Sequence, residues 1–362
     1  MNKFAMTALA FSTLGASASA TTGNDWLELD REINALTSPS LFQQGGINVT
    51  ALIRVYGTYG DDDAQTGGGS DITGFELDDV DIAVSGEVGD FGWRINVDAD
   101  SGVAVLEDAY AWWQFSDYVS ARLGQFKPQV FFSNLVDPEN QVMIDRTLLG
   151  SAFDFWDLGA GANGQYEMID WMVNVFNGAD ADGNDSRYTF RVEYDLGQGV
   201  GEYEGAYGAG DDLNATVGGV YVHDDSISGD ASLFGVDFNG TFGQIGFGAE
   251  IADVDDDFGM TTAGDFGNYF GGPLGGVQPF LAGDSTPFAL TGSFMLNEEF
   301  EVALRFQDVD DADDRRLLTA GVNWFQSGHN AKWQANITDV SADTDANEGT
   351  FLQVGLVLGS TR

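Results

Sequence analysis

Polar and apolar residues alternate with a period of two along most of this chain. Residues 91–100 show the pattern most clearly, and one face of that run carries Phe91, Trp93, Ile95, Val97 and Ala99. The opposite face is polar and includes Arg94 and Asp98. Residues 187–196, 300–307 and 331–338 repeat the alternation. Such runs indicate β-strands, and each is close to the ~10 residues of a tilted membrane strand.

The joints between about sixteen such runs, from Ile47 to Leu358, are alternately short and long. Short joints include residues 88–90, 116–117 and 242–244, whereas the long ones are mostly rich in Asp, as in residues 61–63, 180–185 and 308–314. Transmembrane β-barrels have short periplasmic turns and long extracellular loops. The sequence therefore predicts an all-β, 16-stranded antiparallel transmembrane β-barrel over residues 46–362. Residues 197–212 break the rule, as either a mis-counted strand or a periplasmic excursion.

The N-terminus predicts export. Residues 1–20 have the basic start, apolar stretch and Ala18-Ser19-Ala20 ending of a secretory signal. Residues 21–45 are predicted to be a periplasmic segment with a short helix over residues 25–37, in which apolar side chains recur at three- and four-residue steps. This helix either packs on the end of the barrel or associates with copies of itself.

The composition of the chain excludes several classes of function. The chain has 58 acidic and 14 basic residues, no Cys, and only two His, His223 and His329. A net charge of -44 argues against nucleic acid as a partner. Thiol chemistry is excluded, and no Ser–His constellation points to catalysis. We therefore expect neither an enzyme nor a bound cofactor, although the acidic loops could hold divalent cations loosely.

One quarter of the chain carries recognisable motifs. They are Glu-Asp-Ala-Tyr at residues 107–110, Ala-Arg-Leu-Gly-Gln-Phe-Lys-Pro at 121–128 and Met-Ile-Asp-Arg at 143–146, followed by residues 155–164. This stretch resembles the phosphate-selective porin O and P family of outer-membrane proteins. The resemblance implies a homotrimer of 16-stranded barrels among the lipids of a Gram-negative outer membrane.

The same resemblance implies that the third extracellular loop folds into the lumen and narrows it. Here that loop is residues 128–156, and it carries apolar side chains that need a surface to pack against. Two features depart from the family. Anion-selective members line the pore with many Arg and Lys, of which this chain has few. Many outer-membrane barrels also finish on an aromatic residue, whereas this chain ends in Arg362.

Basic residues are concentrated on the polar strand faces and in loop 128–156. The candidate pore residues are Arg122, Lys127, Arg146, Arg94, Arg187, Arg191 and Arg305. Arg122, Lys127 and Arg146 flank the presumed constriction or lie within it, where a fixed charge acts on every passing ion. The alternative is that these side chains pair with lumen acids such as Asp98, Glu193 and Glu301 and brace the wall.

Two functions are compatible with the sequence. The first is a passive outer-membrane channel for small hydrophilic solutes and inorganic ions, with anions such as phosphate among the candidates. The second is a secreted or surface-attached, Ca²⁺-dependent binding or adhesin β protein. The second rests on the acidic loops, in which Asp180, Asp182 and Asn184 resemble the start of a calcium loop. An EF-hand is excluded because the twelfth position is Arg191 rather than Glu.

Overall fold

A computed structural model describes residues 46–60, 72–100, 102–178, 186–225, 231–255, 284–311, 313–343 and 348–360. These residues form a closed barrel of sixteen antiparallel strands, in which each strand pairs with its neighbours in sequence and β1 pairs with β16. The strands are β1 (Ile47–Gly60), β2 (Ile72–Val88), β3 (Phe91–Asp98), β4 (Val105–Ser116), β5 (Val119–Phe126), β6 (Asp157–Tyr166), β7 (Ile169–Phe176), β8 (Arg187–Leu196), β9 (Asn214–Asp224), β10 (Ala231–Phe242), β11 (Ile245–Val254), β12 (Phe288–Met295), β13 (Phe300–Asp308), β14 (Arg316–Phe325), β15 (Ala331–Ser341) and β16 (Gly349–Gly359).

The outer surface of the barrel is apolar. In β8, Tyr188 and Phe190 are each 45% exposed, whereas the alternate residues Thr189 and Arg191 point inwards and are buried. Successive side chains of a strand point to opposite faces, so the period of two in the sequence becomes an apolar outside and a polar inside. An extended apolar exterior is the surface that a barrel presents to lipid.

Loop 128–156 leaves β5 and turns into the lumen. It contains α1 (Phe132–Leu135), a 3₁₀ helix (Pro138–Asn140) and α2 (Leu148–Ala152). The side chains of Phe131, Leu149 and Phe153 in this loop are no more than 1% exposed. They form one buried cluster with wall residues of β9, β10, β11, β14, β15 and β16. Packing against the inner wall therefore buries the apolar side chains of the loop.

Segment 197–213, which joins β8 to β9, also enters the barrel, but from the end that carries the short turns. Other connections at that end are hairpins such as residues 89–90 and 243–244. In this segment Glu204 is 8% exposed and Ala206 is 1% exposed. The Glu204 N–H donates a hydrogen bond to the Asn140 carbonyl oxygen at 3.1 Å. The segment is thus an inward excursion that reaches loop 128–156, and the alternative of a mis-counted strand is wrong.

The strand count and the alternation of long and short joints are confirmed. The predicted signal sequence, residues 1–20, and the helical segment, residues 21–45, lie outside the described residues. Most of the acidic loop tips, including Asp180, Asp182 and Asn184, lie outside them as well. Within the part of the chain that is described, no helix is long and apolar enough to cross a membrane.

Candidate pore constriction

An open cavity of about 310 Å³ lies between loop 128–156 and the wall formed by β1 to β5. The opposite side of the lumen, from β9 to β16, is covered by the loop. Charged side chains dominate the cavity. Its basic lining residues are Arg54, Arg94, Arg122, Lys127 and Arg146, and its acidic ones are Asp79, Asp81, Glu107, Asp108, Asp137, Asp154 and Glu202. We call this cavity the eyelet, because it is the narrow passage left beside the loop.

Arg122 differs from the other cations of the eyelet in its partners. Among the described residues, no carboxylate oxygen lies within 4.0 Å of a nitrogen of the Arg122 guanidinium, which is the distance limit for an ion pair. Its Nη2 donates to the amide oxygens of Gln129 and of Asn174, the latter at 3.2 Å. The guanidinium also lies over the Phe126 ring, 4.1 Å from the ring centroid. These neutral partners fix the position of the Arg122 charge and leave it uncompensated by a direct ion pair.

Lys127 and Arg146 share one carboxylate, that of Asp154. The Lys127 Nζ contacts Asp154 Oδ1, and the Arg146 Nε donates to Asp154 Oδ2 at 2.9 Å. Although burial alone would raise it, the pKa of Asp154 is held well below its ordinary range by the two cations. Arg146 also donates to the carbonyl oxygens of Ser133, at 2.8 Å, and of Val136. Both cations therefore contact the same carboxylate at this edge of the eyelet.

The other two basic side chains of the eyelet have carboxylates of their own. The Arg94 Nε donates to Asp108 Oδ2 at 2.7 Å. Arg54 pairs with Asp78 and, at 2.6 Å, with Asp79. Sequence reasoning did not select Arg54, although alternation in β1 places it on the same buried face as Thr50 and Thr58. That shared face was the signal that could have identified it.

Arg187, Arg191 and Arg305 do not line the eyelet, and their predicted place in the pore lining stays a prediction. Each is at most 2% exposed. Arg187 pairs with Asp224 at 2.7 Å. The physical reason is that loop 128–156 covers this side of the lumen, so that the three side chains lie behind it.

The covered arginines hold the loop in place. Arg191 donates to the Val130 carbonyl oxygen at 2.5 Å, and Arg305 donates to that of Asp145 at 2.7 Å. Lys332, a buried cation on the polar face of β15, donates to the Gln141 carbonyl oxygen at 2.5 Å. The alternative of wall-bracing charge pairs thus describes these residues, and Arg191 does pair with Glu193, at 2.7 Å.

The described residues contain no group of three or more His, Asp or Glu side chains placed to hold a metal ion. Asp180, Asp182 and Asn184, the weak calcium candidates, lie outside those residues. The expectation that the protein needs no cofactor therefore stays a prediction.

A closed 16-stranded barrel with an apolar exterior and an inward loop beside a charged eyelet is the architecture of a porin. Solved structures agree. The loop-deletion mutant OmpTdeltaL8 of the Vibrio cholerae outer membrane protein OmpT has a TM-score of 0.58 at 11% identity, over 88% of this chain and 100% of that one. An anion-selective porin from Comamonas acidovorans gives the same values. Salmonella typhi OmpF, solved with daunomycin, has a TM-score of 0.58 at 10% identity, over 87% of this chain and 97% of that one.

The family model of the phosphate-selective porins O and P matches residues 49–259, which is more than half of the chain. The chain belongs to this family. A search of curated proteins finds no match. The family identifies the chain as an outer-membrane porin of Gram-negative type, and its fold agrees with that of solved porins. Porins are channel proteins. The soluble Ca²⁺-binding adhesin is not supported.

Proposed function

We propose that this porin is a passive diffusion channel for small hydrophilic solutes and inorganic ions. We propose further that phosphate-sized anions cross the eyelet along the side formed by Arg122, Lys127 and Arg146. The observation that carries the proposal is the Arg122 guanidinium, which reaches the cavity without a carboxylate within ion-pair distance among the described residues. Neither a cofactor nor an energy source forms part of this function.

The physical argument is one of local charge. In a constriction, a fixed charge acts on every ion that passes, and a cation at the wall lowers the energy of an anion there. Lys127 and Arg146 both contact Asp154, so their charges are held at one place beside the cavity. Arg122 adds a positive charge with no carboxylate of the described residues within ion-pair distance.

The acidic groups act in the other direction. Asp79, Asp81 and Glu107 also line the cavity, and the acidic loops are expected to concentrate cations at the mouth. We therefore propose that the basic and the acidic side chains of the cavity set the ion preference by competition. Removing a positive or a negative charge should shift that preference in opposite directions.

A conductance measurement tests the proposed channel activity. Purified protein in a planar bilayer should give stepwise increases in conductance, whereas a persistently silent bilayer would contradict channel activity.

We also propose that the channel is a homotrimer, as the family resemblance implies. Chemical cross-linking of the protein in detergent should then give dimer and trimer bands, and monomer alone would contradict the trimer.

A further inference from the structure

Segment 197–213 is long at the end of the barrel where the connections are otherwise hairpin turns, and it is packed inside. Its folded path depends on glycine: Gly205 has a φ of 85°, and a Cβ there would lie 2.6 Å from the Glu301 Oε1. The wall also makes room, because a Cβ on Gly246 of β11 would lie 2.4 Å from the Gly205 carbonyl carbon. The backbone of the segment thus lies directly against the lumen wall.

Hydrogen bonds tie the segment to the wall and to loop 128–156 at once. The Glu204 Oε2 accepts from the Val142 N–H of the loop at 3.1 Å and from Arg305 Nη2 of β13, also at 3.1 Å. Two residues further on, the Ala206 N–H donates to the Glu301 Oε1 at 2.6 Å. Glu204 is therefore a junction between the segment, the loop and the barrel wall.

An aromatic cluster fixes the segment on its other side. The Tyr207 ring stacks on Phe325 with 4.0 Å between the ring centroids, and both Tyr203 and Tyr207 contact His329. The His329 Nδ1 in turn lies 3.1 Å from the Glu139 carbonyl oxygen, the acceptor, in loop 128–156. Glu204 and His329 therefore contact loop 128–156 at residues 139–142 from the short-turn end of the barrel.

The segment also contributes to the eyelet itself. Glu202 lines the open cavity, and it is the residue through which an element from the short-turn side reaches the lining formed by β1 to β5 and the loop. Its carboxylate adds negative charge to a passage in which Arg122 supplies positive charge.

We propose that segment 197–213 is a second constriction element of this porin, entering from the periplasmic side. Glu202 contributes to ion selectivity, and Glu204 is a positioning residue that sets where loop 128–156 lies and so how wide the eyelet is. The proposal rests on the proposed channel function. It assigns the pore dimensions to two segments rather than to the extracellular loop alone.

The first test removes the segment. Residues 198–212 are replaced by Asn-Gly, a sequence that favours a tight turn. In planar bilayers we expect a higher single-channel conductance than that of the wild type. We also expect entry of larger polyethylene glycols, measured as the polymer size that no longer lowers the conductance. An unchanged conductance together with an unchanged size limit would overturn the proposal.

The second test uses point variants that keep the segment in place. Glu202→Gln should shift the reversal potential under a salt gradient towards anions. Asp212→Asn makes the same change in charge at an exposed position of the same segment and is the matched control. Equal shifts in the two variants would remove Glu202 from the selectivity claim.

The third test does not need a conducting channel. Glu204→Gln removes the ion pair to Arg305 and should loosen loop 128–156, so that trypsin cleaves after Arg146, which is 6% exposed in the folded protein. Asp212→Asn should stay resistant. Equal resistance of both variants in detergent would overturn the positioning role. Because this readout is independent of conductance, failure of the proposed function and failure of this inference can be distinguished.

Discussion

The Arg191 guanidinium of β8 donates to both carboxylate oxygens of Asp237 in β10, at 2.5 and 3.0 Å. Both side chains are at most 1% exposed. The same carboxylate accepts from the Phe132 N–H at 3.0 Å, and the same guanidinium donates to Val130. This pair therefore joins two wall strands to the start of loop 128–156.

Asp237→Asn should destabilise the protein strongly. It leaves the buried Arg191 charge without its main partner and sets an amide N–H₂ against other donors, a change that costs about 3–5 kcal/mol for a broken buried pair. The midpoint of thermal unfolding in detergent measures the effect. Asp314→Asn removes the same charge from an exposed pair with Arg316 and should leave the midpoint unchanged. Equal effects of the two variants would contradict the anchoring role.

Much of this fold could be predicted from the sequence because membrane strands alternate. In residues 187–196, the alternation of polar and apolar side chains correctly predicted which residues face the lumen and which face the lipid. The inward course of loop 128–156 followed from its apolar side chains and from a family resemblance. Which lumen cations the loop covers could not be predicted, because Arg191 and Arg122 have the same local pattern and differ only in the tertiary contacts they make. The route of segment 197–213 depends on contacts with Glu301 and with the loop, which no local pattern encodes.

Gly92→Ala should disturb the pore wall. A Cβ at Gly92 in β3 would lie 2.0 Å from the indole of Trp112, so the ring must move away from the wall. Overpacking of this kind costs roughly 1–3 kcal/mol. We expect a lower unfolding midpoint and a changed tryptophan emission spectrum.

The control for this substitution is Gly292→Ala in β12, where a Cβ would have no atom within 4 Å. That variant should unfold at the wild-type temperature. If Gly92→Ala behaves like Gly292→Ala, the indole of Trp112 does not lie against the wall as described.

His329 should make the stability of the periplasmic end depend on pH. Burial and the nearby Lys332 charge lower the pKa of His329 to about 4 from an ordinary 6.5. Because the folded state disfavours the protonated ring, this contribution is complete above pH 6.5 and is lost as the pH falls from 6.5 towards 4. The loss is on the order of 3 kcal/mol.

Unfolding midpoints at pH 7 and pH 4 check the effect of His329. The difference between the two should be smaller for His329→Gln than for the wild type, because the variant has no ring to protonate. A wild-type difference in His329→Gln would contradict the assignment.

The reversal potential under a salt gradient tests the central claim most directly, because it measures whether the Arg122 side of the eyelet favours anions. Arg122→Gln keeps a polar side chain and removes the charge, and Arg316→Gln removes the same charge from an exposed site at the start of β14. We predict that Arg122→Gln shifts the reversal potential towards cations by more than Arg316→Gln does. No shift in Arg122→Gln, or a shift towards anions, would contradict the account.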